Sequence, residues 1–143
     1  MPEHRERRAI ARLSIEYVAC LLSEGMADTG LDILDFVIVL VVSASNIGHL
    51  KARHEGSEAP IPADQMAPVT PQGIAESLKL PSEVAEARIA SLVGRGILLS
   101  CGDCGVIMGE PVTSSDVAGN LAEKNIAMAR RFARQLADLE LAA

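Results

Sequence analysis

The residues best equipped for chemistry are two thiols. Cys101 and Cys104 stand in Cys101-Gly102-Asp103-Cys104-Gly105, a C-x-x-C followed by glycine. Three readings are open. A single pair is by default two small residues of a turn. Thiols at this spacing approach disulfide distance across a turn, which makes a redox dithiol. They are also half of a zinc knuckle, but a structural zinc takes four ligands and no second C-x-x-C follows. His49 and His54 complete it only if the chain between them folds back. Cys20 lies inside an apolar helical pattern and reads as a core thiol. His4, His49 and His54 form no constellation with a nucleophile or a carboxylate pair. No phosphate-binding glycine loop, zinc-protease motif or serine elbow occurs. The sequence therefore predicts no catalytic residue, no metal, no cofactor and no enzyme activity.

The segment that positions these thiols runs from Thr70 to Leu99. Thr70 is a good N-cap, and Pro71 suits the first helical position, where no N–H is needed. Ile74, Ala75 and Leu78 follow at helical spacing. Pro81 disfavours helix at Leu80 and ends the first helix. A second helix spans about 82–93, with Val84, Ala85, Ile89, Leu92 and Val93 on one face. Gly94 and Gly96 stop it, and Ile97-Leu98-Leu99 starts a strand. Leu98–Cys101 and Cys104–Met108 flank Gly102-Asp103, which reads as a two-residue hairpin turn. A helix–turn–helix of this kind places its second helix in the DNA major groove.

Ile74-Ala75-x-x-Leu78-x-Leu80-Pro81, Arg88-Ile89-x-x-Leu92 and Gly96-Ile97-Leu98 together resemble the winged helix-turn-helix family of bacterial transcriptional regulators. The resemblance covers about 40 of the 143 residues. It implies a mainly α fold with a small β-hairpin wing, an N-terminal helical extension and a C-terminal helix. It also implies a homodimer on double-stranded DNA, since one recognition helix reads only a short half-site. The DNA-facing set would be Thr70, Gln72, Ser82, Glu83, Glu86, Ala87, Arg88 and Arg95.

Charge argues with that implication. The net charge is −6, with a pI of about 5.0. Guanine reading and phosphate contact favour Arg and Lys. Arg88 is the one basic residue of the reading helix, with Glu86 and Ala87 where related proteins often carry arginines. Glu83 or Glu86 could still accept a hydrogen bond from cytosine. The stretch Ser100–Glu110 has no Lys or Arg. Arg5, Arg7, Arg8 and Arg12 cluster at the start, where a charge run is usually a solvated helix face. The alternative reading is a winged-helix protein-interaction module that has lost DNA. The three aromatic residues, Tyr17, Phe36 and Phe132, are too few to stack bases of single strands.

The remaining chain supplies scaffold. Glu3–Glu24 is an amphipathic helix with Ile10, Leu13, Tyr17 and Leu21 on a stripe, broken at Gly25-Met26-Ala27. Asp28 or Thr29 would cap a second helix over Leu31–Leu50, and Asp32 and Asp35 suit its early turns through the helix dipole. Its run Phe36–Val42 is β-branched, yet the apolar pattern continues through Ala44, Ile47 and Leu50. A helix apolar all round is a buried one. Ala52–Pro68 is a Pro-rich linker. Ser115 or Asp116 caps a last helix to about Leu141, with Ile126, Ala129, Phe132, Ala133, Leu136 and Leu139 on its apolar stripe. The expected organisation is helices over 1–50, a linker over 51–69, the motif and hairpin over 70–110 and a helix over 111–143, in one compact domain. The first, second and last helices are the expected dimer interface, and an effector pocket between them is left open. No span or signal peptide is evident, so the expected location is cytoplasmic, with no membrane partner.

Overall fold

The computed structural model describes residues 2–48, 63–109 and 116–142. It is mainly helical, with one two-stranded antiparallel sheet among the described residues. In chain order the elements are α1 (Pro2–Thr29), α2 (Ile33–Ile47), α3 (Pro71–Leu78), α4 (Ser82–Gly94), β1 (Leu98–Ser100), β2 (Val106–Met108) and α5 (Asp116–Ala142). They form two compact units. One holds Asp32–Ala118, the other Met1–Leu31 with Gly119–Ala143. The unit boundary thus falls before α2. The sequence reading instead grouped residues 1–50 as scaffold within one compact domain.

The central unit is built on α2. Asp32 is its N-cap and accepts from the Asp35 N–H at 2.9 Å. The β-branched run forms helix because the apolar pattern extends beyond a strand's length and the helix is capped. Phe36, Ile38, Val39 and Val42 are buried against the unit's core. The start differs from the Asp28 or Thr29 cap that the sequence suggested, because α1 does not stop at Gly25. Gly25 is a buried helical residue, and Gly30, at φ +69°, follows the end of α1 instead. A glycine inside a helix costs only about 1 kcal/mol, which packing offsets. Residues 49 and 50, at the expected end of α2, lie outside the described residues, as does Ser115.

Ile74 and Ala75 of α3 and Ala85, Ile89 and Leu92 of α4 complete that core with Leu98, Val106, Ile107 and Met108. Each large apolar side chain so buried is worth about 1.5–3 kcal/mol relative to exposure. β1 pairs with β2 in the register Leu98↔Met108, Leu99↔Ile107 and Ser100↔Val106. The other edge of β2 is closed as well. Val69 and Val106 exchange backbone hydrogen bonds of 3.1 and 2.9 Å, so the chain entering α3 acts as a third, one-residue strand. Beyond it, Asn46 of α2 is fully buried. Its Oδ1 accepts from the Met108 N–H at 3.0 Å and its Nδ2 donates to the Ala67 carbonyl at 2.8 Å.

In the other unit, α1 and α5 run antiparallel. Tyr17 stacks on Phe132 with ring centroids 5.1 Å apart, and its hydroxyl donates to Asn125 Oδ1 at 3.2 Å. Nearer the start of α5, Lys124 donates to Glu24 at 3.0 Å and to Asp28 at 2.9 Å. Burial here is sparse. Leu13 and Gly25 are the buried residues of α1 among those described, and no described residue of α5 is buried. Cys20, expected in a core, is exposed.

Candidate recognition surface

Four residues set the bounds of α3 and the turn into α4. The Thr70 hydroxyl accepts from the Gly73 N–H at 3.0 Å, and Pro71 occupies the first turn of α3. Lys79 ends α3 in the left-handed region, at φ 55° and ψ 42°, with its N–H directed to the Ala75 and Glu76 carbonyls. Pro81 then precedes α4, and its carbonyl accepts from Val84 and Ala85 at 3.1 Å each.

Because Ala85, Ile89 and Leu92 face the core, the opposite face of α4 is fixed. It carries Glu83, Glu86, Ala87, Ala90 and Ser91, all exposed, while Ser82 is exposed as the first residue of the helix. Of the residues expected to meet DNA, the structure gathers Ser82, Glu83, Glu86 and Ala87 here. Thr70 and Gln72 are exposed at the start of α3, where Gln72 donates to Glu76 at 3.2 Å.

The two arginines go elsewhere. Arg88 flanks the buried stripe, and its Nη1 lies 2.5 Å from Asp32 Oδ2 and 3.3 Å from Asp35 Oδ1. Arg95, the C-cap of α4, reaches Asp35 Oδ2 at 3.8 Å. Both cations are therefore held at the N-terminus of α2, away from the outward face. The sequence reading offers Arg88 to DNA; in the structure its guanidinium faces Asp32 and Asp35. The cause is local. Asp35 sits almost buried one turn into α2, where cationic partners compensate its charge. The Asp35 N–H first, and then Arg88, hold the Asp32 carboxyl below the ordinary range. Reciprocally, Asp32 raises the Arg88 guanidinium above its usual value. Sequence reasoning assigned Asp32 and Asp35 only to the helix dipole. Two carboxylates in one first turn, where one suffices as a cap, were the signal that they hold something more.

The electrostatic result is one-sided. Among its described residues the central unit carries Lys79, Arg88 and Arg95 against Asp32, Asp35, Asp64, Glu76, Glu83, Glu86, Asp103 and Asp116. Lys79 is the one cation among them outside an ion pair. The hairpin adds no positive charge. Its loop is not the two-residue turn expected at Gly102-Asp103, but one turn of 3-10 helix over Gly102–Cys104. Gly105, at φ +114°, presses against Val69, where an added Cβ would lie 2.2 Å from the carbonyl oxygen. Only glycine admits that approach.

A second feature lies in the helix-pair unit. A cleft of about 350 Å³ between α1 and α5 is lined by Leu13, Glu16, Tyr17, Cys20, Met128, Arg131, Phe132 and Gln135. Arg5, Arg7, Arg8 and Arg12 are exposed on α1, and Arg12 pairs with Glu16 at 2.7 Å. Among the described residues no group of three or more His, Cys, Asp or Glu side chains could hold a metal ion. No single described helix is long and apolar enough to cross a membrane. The chain matches no family model, no curated protein and no solved structure.

Proposed function

We propose that this chain is a homodimeric winged-helix regulator module whose outward α3–α4 face and hairpin engage a basic protein partner rather than duplex DNA. The order α2, α3, α4, β1, β2, with Val69 on the free edge of β2, supports the winged-helix assignment. The hairpin is then the wing. The observation that carries the functional reading is the placement of Arg88. DNA affinity comes chiefly from cations at phosphates. Here the reading helix presents Glu83 and Glu86 outward and commits its one arginine to Asp32 and Asp35. Such a face repels a polyanion and suits a Lys- or Arg-rich protein segment.

The helix pair supports the dimer. Ile10, Ile15, Val18 and Ile126 are exposed on α1 and α5. Helices take most of their stability from a packed apolar face. A second copy supplies that packing with the symmetry common to homo-oligomers. Free, exposed thiols suit a reducing compartment, and we place the protein in the cytoplasm.

Mobility shift with a random-sequence duplex at low salt tests the reading. The wild type should give no retardation. The Glu83→Arg/Glu86→Arg variant should give retardation that fades with added salt. Titration with a lysine-rich peptide should shift the amides of Glu83, Glu86 and Ala87 before others of the unit. Strong, salt-dependent duplex binding by the wild type, abolished by Arg88→Ala, would restore the DNA reading and sink this one.

A further inference from the structure

The recognition face leaves Cys101 and Cys104 unused. Both thiols are exposed. Cys101 caps a 3-10 turn whose last residue is Cys104. Gly102, at φ +69°, opens that turn in the left-handed region. The ends of such a turn stay within about 7 Å between Cα atoms, and a disulfide spans about 4.4–6.8 Å. The loop that carries them is anchored at both shoulders. The Cys101 N–H donates to the Gly105 carbonyl at 2.8 Å, and the Gly105 N–H donates to Gly102 at 3.3 Å. Gly105 in turn bears on Val69. The thiols are thus held on one short, fixed turn.

We propose that Cys101 and Cys104 are a reversible dithiol–disulfide site, oxidised by exchange with a low-molecular-weight disulfide. In the first step one cysteine, as thiolate, attacks a sulfur of the small disulfide. A mixed disulfide forms, and one small thiolate leaves and takes up the proton. The second cysteine then attacks the protein sulfur of that mixed bond, forming the Cys101–Cys104 bond and expelling the second small thiol. Two protein thiols are oxidised and one small disulfide is reduced to two thiols. The second step is intramolecular across a four-residue turn, so the mixed species is short-lived. No Lys or Arg lies between Leu98 and Gly109, while Asp103 sits between the thiols. The bond would cross-link the hairpin tip without altering the strand register.

Incubating the full-length protein in mixtures of oxidised and reduced glutathione, with acid quenching and peptide mass mapping, tests this. The expected product is a peptide containing residues 101–104 that has lost two hydrogen atoms, in proportion to the oxidised fraction and reversed by reductant. In Cys101→Ser and Cys104→Ser the remaining hairpin thiol should instead accumulate the glutathione adduct. Persistent adducts on both cysteines of the wild type, or bonds running chiefly through Cys20, would overturn the proposal. So would a peptide that stays fully reduced while a free cysteine-containing peptide in the same mixture oxidises. The readout is indifferent to whether the recognition face takes protein or DNA.

Discussion

Asn46 should be the most costly polar residue to remove. It is fully buried in α2, and its amide closes the edge of β2 where the short Val69 strand gives out. Replacing it by alanine removes the acceptor of the Met108 N–H, held at 3.0 Å, and the donor to Ala67, held at 2.8 Å. The Val106 carbonyl, 3.4 Å from the amide, keeps its bond from the Val69 N–H. Ala67 is half-buried and reaches water more readily than Met108, which is buried. One buried donor is therefore left unpaired, at about 1–3 kcal/mol. The small void adds to this, giving a total of about 2–4 kcal/mol. That is a large part of the roughly 5–15 kcal/mol that holds a typical domain.

Urea unfolding of Asn46→Ala and Asn46→Leu, with Ser45→Ala as the exposed neighbouring control, measures the loss. Hydrogen exchange localises it, since protection should fall first in Val69 and Val106–Met108. Leucine restores volume but pairs nothing, so it should recover little. If Asn46→Leu matches the wild type within about 0.5 kcal/mol, the usual range for surface changes, the edge-closing argument is wrong.

Thr70→Ala removes the cap of α3 and should cost about 1 kcal/mol by the same unfolding assay, with Thr70→Ser restoring most of it. Gly105→Ala meets the Val69 carbonyl and an unfavourable φ together. It should cost about 2 kcal/mol or more, and a near-neutral result would refute the close approach. Asp32 has a folded pKa below its ordinary 3.8, so its contribution is present above that value and fades as pH falls through the folded one. The acid limb of the stability curve should therefore be shallower in Asp32→Asn, and identical acid limbs would contradict the pairing with Arg88.

The elements were legible where local chemistry and apolar period agree. Thr70-Pro71, Leu80-Pro81 and Gly94-Gly96 mark the bounds of α3 and α4 closely because caps and breakers act within a few residues. The strands Leu98–Ser100 and Val106–Met108 were visible for the same reason. What escaped depends on partners distant in sequence. Gly25 looked like a stop because its burial cannot be read locally. Asn46 gives no local signal of its role, since its partners lie 21 and 62 residues away. Val69 was assigned to a linker because a one-residue strand has no period. The site was half legible. Helical phase put Glu83 and Glu86 outward correctly. Phase alone could not say that Arg88, on the flank of the buried stripe, would turn to carboxylates 53 and 56 residues earlier.

That divided outcome bears on where function resides in this chain. The side chains that make the central fold, from Phe36 and Ile38 through Ile74, Leu92 and Leu98, are buried and satisfied by one another. They would serve a DNA reader and a protein-binding module alike, since a fold does not fix an activity. Arg88, Asp32 and Asp35 lie between the two categories. They join α4 to the start of α2, and in doing so they remove from the reading helix the charge a polyanion would need. Returning Arg88 to a ligand means breaking contacts that also hold α4 against α2, so the arginine cannot serve both roles at full strength. Ser82, Glu83, Glu86 and Ala87 are exposed and carry no such obligation. Under the proposed reading, two exposed carboxylates with no accompanying cation would suit a partner that brings the positive charge itself.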